Sequence, residues 1–162
     1  MSWQGYVDTN LVGTGKISQA AIIGLKGGVW ATSSDFNLTA EEQKAIIAGF
    51  DDPSGLQAGG VRANGKKFFT LGVTPRTIYG KQGVSIPALS LTFSRLGASH
   101  RSYSFADVVS NYLPIGGNQG DGLVAVKTNQ AVLVCVYMAP IVPGEANKVA
   151  EGLGDYLVSV GY

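Results

Sequence analysis

The chain has 162 residues, 45% of them apolar, and a formal net charge of +1 at neutral pH. That supplies one domain with a proper core, and the balanced charge gives no electrostatic case for nucleic acid. No basic segment leads into an apolar one at the start, so no secretory signal is expected. The longest apolar-rich run, Ala131 to Val142, is too short and interrupted for a transmembrane segment.

The first stretch sets the pattern. Ser2 offers an oxygen to the free amides of a following helical turn, and Trp3, Tyr6, Val7 and Leu11 recur on one helical face. Aromatics with a polar tip sit well half exposed, ring on apolar matter and heteroatom in water. Plain core packing accounts for the same spacing equally well. Gly13, Gly15 and Lys16 mark a turn, and the apolar runs Ala20–Leu25 and Gly28–Thr32 form a hairpin around Lys26-Gly27. Thr39 with Glu42 is a capping-box signature. It opens a helix through Ala45, Ile46 and Phe50 that Asp51-Asp52-Pro53 ends.

Gly55 to Gly60 reads as loop, Lys66–Val73 and Arg76–Lys81 as strands, and Leu123–Lys127 with Gln130–Tyr137 as a last hairpin around Thr128-Asn129. Pro143 opens a final helix at its first position, with Val149, Leu153, Tyr156, Leu157 and Val160 as its buried stripe. The order of elements predicts an α+β domain on an antiparallel sheet.

Catalytic and ligand motifs are weak. Gly60–Lys67 falls one residue short of a phosphate-binding loop, lacking the hydroxyl after its lysine and the helix that should follow. One cysteine and one histidine supply no metal set. Cys135, inside Val132–Val136, reads as a small buried strand residue. A Ser-His-acid set would have to use His100. Nothing marks an enzyme, and no cofactor is implied.

Ser2-Trp3-Gln4-x-Tyr6-Val7-Asp8, followed by Leu11-Val12-Gly13-Thr14-Gly15-Lys16, resembles the start of a profilin of fungal type. Val29–Ser33, Ile78–Lys81, Pro143–Lys148 and Asp155–Tyr162 match further blocks in the family's order. The resemblance implies a central antiparallel sheet with N- and C-terminal helices packed on one face and shorter helical segments on the other. It implies a cytoplasmic, cortical protein that binds monomeric actin and proline-rich partners such as formins and regulates actin polymerisation. By the same resemblance, Trp3, Tyr6, Trp30, Tyr156, Leu157 and Tyr162 fall at polyproline-binding positions. A polyproline II helix keeps its shape without internal hydrogen bonds, so flat rings bind it at low entropic cost.

Arg76, Lys81, Lys127, Thr128, Gly144, Asn147 and Lys148 fall where profilins meet actin. A mixed polar and basic patch suits an acidic partner surface. The alternative is a membrane-surface adaptor, with Lys66, Arg76 and Lys81 engaging phosphoinositide head groups.

Residues 84–119 lie outside the family pattern and carry no lysine and the single histidine. Val84–Leu91 reads as a strand and Phe105–Tyr112 as a short helix. Excising the segment joins Gly83 to Gly120 as an ordinary hairpin loop, so the chain is expected to be a single domain over 1–162 with an insertion there. That insertion is either a disordered loop or the translation of a retained intron, since unstructured loops of this length are uncommon in compact domains.

Overall fold

A computed structural model describes residues 2–82 and 120–162. The insertion expected at 84–119, its strand and helix, and His100 lie outside those residues.

The described strands are β1 (Gln19–Gly24), β2 (Val29–Thr32), β3 (Val61–Ala63), β4 (Lys66–Val73), β5 (Thr77–Lys81), β6 (Gly122–Lys127) and β7 (Ala131–Tyr137). They form one antiparallel sheet in the order β2-β1-β7-β6-β5-β4-β3. Its central strands are buried on both faces, so β7 is a continuous apolar run instead of the alternation usual in antiparallel sheets. One face carries Ala20, Ile22, Val124, Val126, Leu133 and Cys135, which pack against Val7, Leu11, Ala146, Ala150 and Leu157 of the two terminal helical segments. The other carries Ala21, Ile23, Leu123, Ala125, Val132 and Val134, packed against Ile46, Phe50 and Leu56 of the shorter helices. The expected two-layer placement of helices holds.

The shorter helices are α2 (Ala40–Asp51) and α3 (Ser54–Gly59). The Thr39–Glu42 capping box forms, with Thr39 Oγ1 accepting from the Glu42 amide and the Glu42 carboxylate from that of Thr39. The same carboxylate also accepts from the Asn64 and Gly65 amides. One buried acid therefore fastens α2 to the β3–β4 turn. That turn has positive φ at Asn64 (53°) and Gly65 (73°), as a two-residue hairpin loop of the primed type requires.

One expectation is corrected here. Gly55–Gly60 is not loop: α3 forms although Gly55 and Gly59 disfavour it, because Asp52 caps the Ser54 amide and Leu56 is buried against Gly49. In α2, Ala45 faces solvent while Ile46 and Phe50 carry the packing.

The N-terminal helix is irregular. One α-turn, α1 (Trp3–Gly5), widens into a π-helical turn over Tyr6–Leu11 and tightens into a 3-10 turn over Val12–Thr14. In the π turn the Val12 amide reaches back five residues to the Val7 carbonyl. Such bulges accommodate one extra residue within a helix and recur at functional sites. The C-terminal helix α4 (Pro143–Ser159) has Pro143 in its first turn. It lies close on β6 at Gly154, where a Cβ would meet Val126 Cγ1 at 2.7 Å. Its buried stripe is Ala146, Ala150, Leu153 and Leu157. Tyr156 and Val160, expected inside, are about half exposed, rotated from the sheet toward α1 and solvent.

Candidate functional site

The rings expected to act together do converge. Ser2 Oγ accepts from the Gly5 amide and starts the helix that carries Trp3. Gln4 Nε2 donates to the Thr32 carbonyl at 2.9 Å, which fastens that helix to the free edge of β2. Trp30 on β2 lies over Gly24 of β1, whose missing side chain leaves room for the indole. The ring centroid of Trp3 is 4.8 Å from that of Trp30, 5.0 Å from Tyr162 and 5.8 Å from Tyr6. Tyr6 in turn lies 6.2 Å from Tyr156. These are the tilted and edge-on spacings that aromatic quadrupoles favour.

Tyr162 is held from both sides. Its amide donates to the Leu157 carbonyl at 2.8 Å, and its carbonyl accepts from the Asn129 amide at 3.1 Å. Gln130 Nε2 donates to the Gly161 carbonyl beside it. The β6–β7 turn thus anchors one wall of the aromatic cluster, a link that nothing in the sequence pattern signals.

A cavity of about 270 Å³ opens among Trp3, Tyr6, Tyr156, Val160 and Tyr162. Trp30, Tyr156, Val160 and Tyr162 are among the few large apolar side chains left exposed in the described residues. The Tyr6 phenol is pushed above its ordinary value by its hydrogen bond with Tyr156 and then by burial. Leu157 departs from expectation: it is fully buried in the core under the rings, so it supports them without facing a ligand. Val160 was missed because its spacing on the helix assigned it to the core.

The polar residues form a strip along α4, β5 and β6. Arg76 and Lys127 are adjacent, the Lys127 amide donating to the Arg76 carbonyl at 2.8 Å. Arg76 pairs with Asp155 of α4 at 2.6 Å, and Lys127 pairs with Asp51 of α2 at 3.3 Å while covering Phe50. Lys81 lies at the opposite end of β5, over the Tyr137 ring, where desolvation lowers its pKa. Gly144, Asn147 and Lys148 occupy the first turns of α4. Between them, the Tyr79 hydroxyl donates to the Glu151 carboxylate, binding β5 to α4. Thr128 does not belong to the exposed strip. It is buried, and its hydroxyl exchanges hydrogen bonds with Ala131 inside the β6–β7 turn.

The three lysine and arginine side chains expected to hold phosphoinositide are not together. Lys66 pairs with Asp121 at 3.1 Å, a carboxylate that also acts on Lys81, whereas Arg76 stands at the far end of β5. Five residues of strand separate them, about 16 Å. No group of His, Cys, Asp and Glu among the described residues is placed to hold a metal ion. No described helix is long and apolar enough to cross a membrane.

The arrangement is that of a binding module, with an aromatic recess on one flank of the terminal helices and a polar strip along the other. The Profilin family model matches residues 1–91 and 96–162. The chain is 37% identical over its full length to profilin-1B of Acanthamoeba castellanii, and equally to the profilin of Schizosaccharomyces pombe, each covered completely. The solved structure of Acanthamoeba castellanii profilin IB superposes with a TM-score of 0.75 at 37% identity, over 99% of this chain and 100% of that one. Mouse profilin IIa, in complex with a double repeat from the FH1 domain of mDia1, shares the fold at 18% identity and a TM-score of 0.69, each chain covered in full. The chain belongs to the profilin family. Profilins are non-enzymatic proteins that bind monomeric actin and proline-rich ligands and regulate actin polymerisation.

Proposed function

We propose that the aromatic recess takes the proline-rich ligand and the polar strip meets the actin monomer, in the cytoplasm at actin-rich cortex. The observation that carries this reading is the packing of Trp3 against Trp30, Tyr6 and Tyr162, with an open recess beside it. Flat rings at these angles give grooves for pyrrolidines, and phenol or indole donors meet proline carbonyls that have no amide neighbours. Trp3, Tyr6, Trp30, Tyr156 and Tyr162 make contact, with Leu157 beneath them. The mouse relative's bound FH1 repeat is consistent with such a ligand.

On the other surface, Arg76, Lys81, Lys127, Gly144 and Asn147 face actin, with Thr128 shaping the turn from below and Lys148, which also lines the hollow beside Tyr6 and Tyr156, at the border of the two surfaces. The ion pairs of Arg76 and Lys127 hold their side chains in place before binding. The phosphoinositide reading gains no support from cations set this far apart, two of them in ion pairs.

The test is Trp3→Ala. Retention on a polyproline resin should be lost, with affinity down about thirtyfold, the scale of truncating an aromatic anchor worth about 2 kcal/mol. Sequestration of monomeric actin should persist. Undiminished resin binding would refute the assignment of the recess.

A further inference from the structure

The aromatic recess continues into a second hollow. A cleft of about 400 Å³ shares Tyr6 and Tyr156 with the recess and runs between the π-helical turn and α4 to Asn10, Thr14 and Lys148. Its floor differs in character from the rings. Asn10 Oδ1 is a buried acceptor without a partner among the described residues. Lys148 is the single charged residue of the lining and makes no ion pair among the described residues. The neighbouring carboxylates are engaged elsewhere: Glu145 by Lys16, and Glu151 by Tyr79.

Gly152 lines the cleft from the middle of α4, and a Cβ added there would meet nothing within 4 Å. Glycine costs a helix interior about 1 kcal/mol relative to alanine. Packing does not require this one; its effect is to keep the cleft open.

A run of prolines cannot satisfy this floor. Proline has no amide hydrogen to give an orphaned acceptor and no charge to offer a lysine. We infer that the cleft takes an acidic, non-proline residue flanking the proline run of the same peptide, its backbone amide directed to Asn10 and its carboxylate to Lys148. This rests on the recess being the proline site. Asn10 meets the donor by turning its amide about χ2, a soft twofold torsion. The device reads sequence polarity: only the end of the proline helix that points along the terminal helices toward Lys148 is sensed.

The experiment uses three synthetic peptides with the same proline decamer: unflanked, with Glu-Ser at the N-terminal end, or with Ser-Glu at the C-terminal end. Binding to the full chain is followed by tryptophan fluorescence at low and physiological salt. One flanked peptide should bind about three- to fivefold tighter than the unflanked one at low salt, the scale of an exposed charge pair. The preference should shrink as salt rises. In Lys148→Gln and in Gly152→Leu, which fills the cleft, the flanked-to-unflanked ratio should fall to about one, and in Lys148→Arg it should survive. Equal binding of all three peptides, or a preference that persists in both substituted proteins, overturns the inference while the recess stands. Failure of all three to bind overturns the recess and the inference together.

Discussion

The indole of Trp30 lies against the backbone of Gly24, so that a Cβ at residue 24 would stand 2.8 Å from the indole nitrogen. The neighbour is a movable side chain, so Gly24→Ala should tilt Trp30 off Trp3 without unfolding the sheet. Losing one aromatic pair of about 1 kcal/mol predicts roughly fivefold weaker polyproline binding. Unfolding by urea and a fluorescence titration on the same sample check both halves. A midpoint that collapses along with the affinity would contradict the local reading.

Glu42 joins three elements through its carboxylate, which accepts from the Thr39, Asn64 and Gly65 amides. Glu42→Ala leaves these donors unpaired close to the core, with an expected cost of about 2–3 kcal/mol in urea unfolding. Thr39→Ala removes only the reciprocal cap and should cost about 1 kcal/mol. Equal costs would show that the turn contacts carry no energy.

Gly154 sits where α4 rests on Val126. Gly154→Leu gains helix propensity of roughly 1 kcal/mol and loses more by forcing α4 away from β6, where overpacking costs about 1–3 kcal/mol. Because α4 carries Tyr156 and also abuts Arg76, this substitution should weaken polyproline and actin binding together. Selective loss of either one would be contrary to a shared helix.

Lys127→Glu reverses the charge next to Asp51 and adjoining Arg76. Actin-monomer binding should fall about tenfold or more, within the range for a charge pair at an interface. Retention on a polyproline resin should not change. Pyrene-actin assembly assays measure the first, and unaltered sequestration would remove Lys127 from the interface.

Burial pushes the Cys135 thiol from 9.0 up to about 12 and the Tyr137 phenol from 10.0 up to about 12. Both groups are neutral when protonated. The native state keeps these protons to higher pH than the unfolded chain does, so stability is complete below about pH 9 and declines from there toward 12. In Cys135→Ala the decline should begin near pH 10, at the Tyr137 phenol. Denaturant midpoints across this range decide it, and an unmoved onset would discount the thiol.

Local chemistry made much of this fold legible. The capping oxygens of Ser2 and Thr39, the glycine turn of β1–β2 and Pro143 act through neighbours a few residues away, and each appears where the sequence puts it. The aromatic cluster was legible through residue chemistry and family likeness combined. What stayed hidden depends on distant partners. α3 owes its existence to the fit of Leu56 on Gly49, which overrides two glycines. Thr128 looks like a surface hydroxyl until its turn closes over it. Asn64-Gly65 carries a hairpin signal, but it lies inside a near-match to a phosphate-binding loop, and the two patterns overlap in the sequence. The π turn at Tyr6–Leu11 leaves the apolar spacing nearly unchanged, so periodicity cannot separate it from an α-helix.

The recess is assembled from residues 3, 6, 30, 156 and 162, positions almost as far apart along the chain as the sequence allows. Pairings of that separation carry a high loop-closure cost and tend to arrive late in folding. Ligand affinity here is therefore also a proofreading signal. A molecule whose α4 has not docked on the sheet has no Tyr156 or Tyr162 wall to present, whatever the state of its central strands. A proline resin would accordingly sort a refolding mixture by completion of the last tertiary contact, and the interval between burial of Trp3 and regain of resin binding would time that final step.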